Sequence, residues 1–400
     1  MAKSPAKPKS PAKKASAPKA AKVAEPPRPL HPALAPRPPK RFSEIIGQER
    51  ALRVLSAAAA SGRVHHAWIF AGPLGIGKRT AAEAFAAALL DPTSRQRKGG
   101  WFEPDADSEV QALLAAGTHP DLHLIVKELA TYSDDPRVRS AKQTTIAKDV
   151  LDAHLLGPIA RAATVNVHAL ASKVFIVDEA ELLDRSTSNA TSQNALLKTL
   201  EEPPPGSVII LVTAQEDRLL PTIRSRCQRV GFSPLTDAQM EQWVATTEWS
   251  LPKHERAALL TFAAGSPGRA RLALETGLLA WAQDLDGLLK DVARGRYRAE
   301  LAPAMAEMIE SWAVAAVDRA DQAGAQASKE AATQDATRHM ISLLSEWARR
   351  RIREAAAAGE ADPRALRDVE AIARAERAMH ANVQGAIVLE DLAASLAAGN

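Results

Sequence analysis

His66-Ala-Trp-Ile-Phe-Ala-Gly-Pro-Leu-Gly-Ile-Gly-Lys-Arg-Thr80 decides the fold. Its first half is a short apolar run rich in aromatic and β-branched types, the composition of a buried strand. Its second half meets the phosphate-loop template G-x-x-x-x-G-K-[ST] at Gly72, Gly77 and Lys78, with Gly75 inside the turn. The alanine-rich stretch Thr80 to Leu90 then has helical periodicity. In such a loop the glycines let backbone N–H groups turn inward around phosphate oxygens, and the lysine reaches the outer phosphates. One position breaks the template. Where Ser or Thr would hold Mg²⁺ stands Arg79, and Thr80 comes one residue late, rotated roughly 100° around the helix. The stretch therefore predicts a nucleotide-binding module with impaired hydrolysis; a chance glycine-rich turn is the bland alternative.

A second motif weighs against chance. Lys173-Val-Phe-Ile-Val-Asp-Glu179 is a buried strand ending in two carboxylates. Ligands of parallel α/β sheets bind at the carboxyl edge, so Asp178 is expected near a magnesium ion and Glu179 near an attacking water. Ser207 to Thr213 is another buried strand, and Thr213 at its end is a candidate sensor of the terminal phosphate or a plain strand terminus. His119 to Val126 reads as a strand, 145–172 as mostly helical, and Asn194 to Glu202 as a helix stopped by Pro203. Arg224 and Arg226 precede a further short strand, Gln228 to Phe232; arginines suit bidentate phosphate contact, but a solvated pair is the usual reading of such residues.

Composition sets the frame. Four hundred residues, 46% hydrophobic, suffice for two or three domains. The single cysteine, Cys227, excludes an intramolecular disulfide framework and suits a reducing, cytoplasmic compartment. No stretch has the length of a membrane span, no secretory h-region follows Met1, and no His/Cys cluster suggests a metal site. The net charge of +4 hides an asymmetry: residues 1–40 hold eight Lys, two Arg and one Glu, leaving the rest at −5. That segment also holds eleven of the 26 prolines, so it is expected to be disordered, either a solvated linker or a nonspecific contact for nucleic-acid phosphates.

From Ser233 the chain is helical in pattern. Thr236 to Gln239 fits a capping box, and Ser266-Pro267 fits a helix start. Apolar residues recur three and four apart through Met305-Ile309-Trp312-Val314 and Met340-Leu343-Leu344-Trp347, stripes that demand packing partners.

These segments together resemble one family, the AAA+ clamp-loader subunits of bacterial replicative DNA polymerase, its delta-prime branch above all. FSEIIGQERA, HHAWIFAGPLGIGKRT, GTHPDLHLI, KVFIVDEAELL, NALLKTLEEPPPGSVIILVTA and LPTIRSRCQRV follow in the family's order, and Asn382 to Leu392 looks like its last helix pair. The resemblance implies an α/β RecA-like domain with a parallel sheet flanked by helices over 42–232. A small helical lid over 233–280 and an all-α collar over 281–400 would follow, after a disordered tail over 1–41. It implies that Arg226, in the triplet Ser225-Arg226-Cys227, reaches the ATP site of a neighbouring subunit, and that Arg269 matches a second sensor arginine. The family's four-cysteine zinc module is absent, so no zinc is expected. The reading is of a largely non-hydrolysing subunit of the polymerase holoenzyme. It would bind ATP or ADP weakly, with magnesium entering only with nucleotide and Glu179 at most a weak water activator. Its partners would be gamma/tau and delta subunits in a hetero-oligomeric ring and, through the complex, the sliding clamp and primed DNA. The alternative is an ATP-hydrolysing gamma/tau-type motor, which should carry Ser or Thr at position 79.

Overall fold

The computed structural model describes residues 30–139, 144–164, 169–183, 191–322, 328–380 and 383–398. The tail up to residue 29 and Asn382 lie outside these residues.

Five strands form one parallel sheet: β1 (Ala67–Ala71), β2 (Leu122–Ile125), β3 (Lys173–Val177), β4 (Ser207–Thr213) and β5 (Gln228–Gly231), in the order 5-1-4-3-2. Alternation along the strands explains why both faces are covered. Trp68, Phe70, Val174, Ile176, Val208 and Ile210 join the core beneath α1 (Glu49–Ala60) and α2 (Lys78–Leu90). Ile69, Phe175, Val177, Ile209 and Leu211 face the opposite layer, which includes Leu196 and Leu200 of α3 (Thr191–Glu201). Alanines at 81, 82, 84, 86, 87 and 88 let α2 lie flat on the sheet, with Phe85 meeting Trp68 edge-on at 5.2 Å.

The lid comprises α4 (Asp237–Ala245), α5 (Lys253–Ala263) and α6 (Pro267–Thr276). Both expected caps form: Gln239 N–H donates to Thr236 Oγ1 at 3.3 Å, and Arg269 N–H donates to Ser266 Oγ at 3.2 Å. The collar continues through α7 (Leu278–Ala293), α8 (Leu301–Gln322), α9 (Lys329–Ala357), α10 (Pro363–His380) and α11 (Gly385–Ala397). The two stripes meet in one core through Met305, Ile309, Met340, Leu343 and Leu344; Val314 is exposed. Lid and collar share that core, since Leu259 and Phe262 cluster with Leu278, Trp281 and Leu285. The chain breaks at Gly277, whose φ of 74° ends α6 and starts α7, so the expected boundary at 280 falls inside a helix.

Two further expectations differ in detail. Among the described residues of 145–172, the helical pattern gives a broken helix over 148–159. The last residues of the expected tail are fixed to the body: His31 N–H donates to Tyr132 Oη at 2.6 Å, Ala33 carbonyl accepts from Arg79 Nη2 at 3.0 Å, and Leu34 packs on the layer that holds Leu196 and Leu200. Low overall apolarity concealed one anchoring leucine, and prolines pre-set the backbone that carries it.

Candidate functional site

The loop from Gly72 to Gly77 leaves the carboxyl end of β1 between β4 and β5, with positive φ at Gly75 and Gly77. Gly75 is required on steric grounds too. A Cβ there would lie 2.5 Å from Ser266 Oγ, because the start of α6 docks on the loop. Ser266 Oγ donates to Leu74 carbonyl at 2.9 Å, and Gly268 N–H donates to Gly75 carbonyl at 2.8 Å. The lid is thus held to the phosphate loop by hydrogen bonds from its own helix start.

Lys78 opens α2 with its ammonium inside the loop, donating to the carbonyls of Gly72 at 2.7 Å and Pro73 at 2.6 Å. Burial pulls its pKa down to about 8, against the pull of Glu181, Asp178 and Glu179. Arg79 turns to the carboxylates: Nε lies 2.8 Å from Glu83 Oε1 and Nη1 lies 3.5 Å from Asp178 Oδ2. Thr80, one residue on, is half-buried. Burial pushes the Asp178 carboxyl up to about 6, with Arg79 pulling the other way.

Glu179 follows with a left-handed φ of 49°, unusual for a side chain with a Cβ. Its carboxylate is tied by two cations, Lys127 Nζ at 3.3 Å and Arg338 Nη1 at 3.6 Å, the latter from collar helix α9. Thr213 is buried, and its hydroxyl accepts from Gln215 N–H at 3.1 Å, so it closes a turn. Arg269 places its backbone beside Gly75, but its guanidinium stacks over Phe262 at 5.1 Å and lies in the field of Glu346 and Arg349. Burial lowers its pKa. Its side chain thus faces the junction of lid and collar.

Arg226 lies at the other end of the sheet. β5 begins two residues later at Gln228, opposite Trp68 near the start of β1, whereas the loop begins after the end of β1. At 3.3 Å per residue, the four steps from Trp68 to Gly72 put roughly 13 Å of strand between the two edges. Arg226 Nη2 pairs with Glu201 Oε1 at 2.7 Å, and Nη1 donates to Thr222 carbonyl at 2.9 Å. It lines an open cleft of roughly 570 Å³ with His65, His66, Leu200, Glu201 and Cys227. Burial pushes the Cys227 thiol up to about 12, so it is not a thiolate nucleophile.

Sequence reasoning missed several groups at the loop. Glu181 is buried, accepts from Ala214 N–H at 3.1 Å through Oε1, and is the carboxylate that Lys78 feels most. It is the third acid of Asp178-Glu179-Ala180-Glu181, a signal that was available. Lys127 and Arg338 carried no such signal, because they approach Glu179 only through the fold. The residues present fit a polyphosphate: loop amides, Lys78 and the N-terminal end of α2 converge on one place. They do not fit the magnesium ion that usually accompanies it, because a guanidinium paired with Asp178 occupies the position of the metal-binding hydroxyl.

The family described as "DNA polymerase III, delta subunit" matches residues 47–236. The DNA polymerase III subunit delta' of Pseudomonas aeruginosa is 36% identical over 205 residues, 50% of this chain and 53% of its own. The subunit delta' of Bacillus subtilis is 32% identical over 202 residues, 50% and 52% of the two chains. The subunit tau/gamma of Haemophilus influenzae is 30% identical over 235 residues, 58% of this chain and 30% of its own. The chain spans about half the length of the delta-prime relatives it matches. Solved chains of the Thermotoga maritima RuvB Holliday junction branch migration motor overlay 63% of this chain and 67% of theirs, at a TM-score of 0.35 and 17% identity, too loosely to inform the domain arrangement. The family match takes in the sheet, the phosphate loop and the Arg226 segment, and over half of its length the chain is similar to delta-prime subunits at 32% and 36% identity.

Proposed function

We propose that the chain is a delta-prime-like subunit of the replicative clamp loader that supplies Arg226 in trans to a neighbour's ATP site and hydrolyses little or no ATP itself. The observation that carries this reading is the position of Arg226: half-exposed, on an open cleft, and a strand's length from its own phosphate loop. A guanidinium placed there cannot reach phosphates held by Lys78, but it is available to another chain. Its planar fork suits the oxygens of a transferring phosphoryl group, where such a finger contributes about 10³–10⁵ in rate. In its own site, Arg79 offers no hydroxyl for a metal, and the Glu179 carboxylate is tied to Lys127 and Arg338.

Gamma/tau and delta subunits would be the ring neighbours, and the sliding clamp and primed DNA the partners of the assembled complex. Relatives of the tau/gamma type match this chain too; Arg79 is what separates it from a motor. The test is steady-state ATP turnover, first of the isolated chain and then of a complex reconstituted with gamma/tau and delta subunits. Negligible turnover of the chain alone, and a clamp-stimulated rate in the complex that drops with Arg226→Ala, is the expected result. Turnover of the isolated chain at the level of a motor subunit would overturn the reading.

A further inference from the structure

We propose that the phosphate loop binds a nucleotide's polyphosphate without magnesium, the Arg79 guanidinium supplying the positive charge that the metal ordinarily brings. In a phosphate-loop site the metal offsets two repulsions, among the phosphates and between them and the carboxylates at the end of the neighbouring strand. Here those carboxylates already have cations. Asp178 is paired with Arg79 at 3.5 Å, and Glu179 with Lys127 at 3.3 Å and Arg338 at 3.6 Å. The second of these repulsions, between phosphates and carboxylates, is therefore relieved by side chains.

The guanidinium is also placed for the work. Arg79 is the residue after Lys78 on the first turn of α2, where the dipole and free amides of the helix favour anions. Its three nitrogens contact Glu83, Asp178 and the Ala33 carbonyl, three partners for five N–H donors. Lys78 rests on two carbonyls of its own loop. Moving to a phosphate exchanges those neutral acceptors for a charged one, and charge-assisted hydrogen bonds are roughly twice as strong. Arginine does not lose its charge at any ordinary pH, so the substitute is always present. This inference rests on the loop as a phosphate cradle and not on Arg226, so its failure would leave the trans role standing.

The experiment titrates the full chain with N-methylanthraniloyl-ATP, once in excess magnesium and once in EDTA at equal ionic strength. The dissociation constants should agree within about threefold, well under the tenfold that 1.4 kcal/mol represents. Arg79→Thr restores the hydroxyl and should bind about tenfold more tightly with magnesium than in EDTA. Arg79→Gln, which keeps a hydrogen-bonding side chain without charge, should lose binding in both conditions, and the melting temperatures of the two variants separate lost charge from a folding defect. Lys78→Ala should abolish binding in both, which locates the ligand at the loop. Magnesium-dependent binding by the wild type, no binding in either condition, or an Arg79→Gln variant that binds like the wild type in EDTA would each overturn the proposal.

Discussion

The two edges of the central sheet carry the same kind of chemistry and treat it in opposite ways. At the carboxyl edge, Lys78, Arg79, Asp178 and Glu179 are largely shielded and held by groups of the same chain, Arg338 of the collar among them. At the amino edge, Arg226 is half-exposed, held by one exposed carboxylate and the Thr222 carbonyl, and borders an open cleft. Charges that neutralise one another within a chain contribute to its architecture. A charge held loosely at a surface is available to something else. The contrast places the proposed role of the chain away from its phosphate loop.

Arg226→Ala should produce the largest change. Within a reconstituted complex, clamp-stimulated ATP turnover should fall, by less than the roughly 10³ of a lone finger where other sites in the ring keep theirs. The melting temperature of the isolated chain should hardly move, because an exposed ion pair is worth about 0–1 kcal/mol. Arg226→Lys should rescue poorly, since a point charge lacks the planar fork. Lys78→Ala is the counterpart at the other edge. If it cripples the complex while Arg226→Ala leaves it untouched, the edges have been assigned the wrong way round.

Lys127→Ala tests the claim that the carboxyl edge is architectural. Lys127 is only 10% exposed and joins Glu179 to Asp335, which in turn pairs with Arg338 at 2.8 Å. Removing it leaves a partly shielded carboxylate with one weaker partner. A loss of about 1–3 kcal/mol in stability is expected, below the 3–5 of a fully buried pair. Chemical denaturation of the isolated chain measures it. An unchanged midpoint would make the edge as loosely held as the other.

Much of this was legible in the sequence, and what was not has a common cause. AWIFA, KVFIV and SVIILVT announced themselves because strands covered on both faces read as continuous apolar runs. The loop was legible from glycine spacing, and Arg79 from its misfit. The helix starts at Thr236 and Ser266 were local capping patterns and needed no tertiary information. The contacts of Glu179 with Lys127 and Arg338 were not legible, since one partner lies 52 positions earlier and the other 159 later. Nor was the turn of Arg269 toward Phe262, because an arginine at a family position reveals its identity but not its rotamer. The docked segment from His31 to Leu34 was hidden by the composition of the tail around it.

A smaller effect separates buried from exposed charge by pH. The Asp178 carboxyl is pushed up to about 6 in the fold, from an ordinary value of 3.8. A raised folded pKa means the folded state holds the proton more tightly. Its stabilising contribution is present in full below 3.8 and is lost as pH rises through about 6. Asp178→Asn carries no such titration. The variant's melting temperature, relative to wild type, should therefore rise between pH 4 and pH 7 by an amount set by this one group. A constant difference across that range would show that Asp178 is solvated like a surface acid.

The smallest effect is expected at Glu201. Its carboxylate is 50% exposed and Arg226 is 35% exposed, so their pair competes with water and salt and is worth no more than about 1 kcal/mol. Glu201→Gln should shift the melting temperature of the chain by under about 4 °C. In the complex, 1 kcal/mol corresponds to about fivefold in a population, which bounds the change in clamp-stimulated turnover. The direction should be upward or flat, because Arg226 no longer has to leave a counter-ion before meeting a neighbour's phosphate. High salt should shrink the difference between wild type and variant, as screening weakens the same pair. A fall approaching that of Arg226→Ala would mean something else. Glu201 would then aim the guanidinium, the amino edge would be as organised as the carboxyl edge, and the contrast between the two would reduce to which chain their phosphate belongs to.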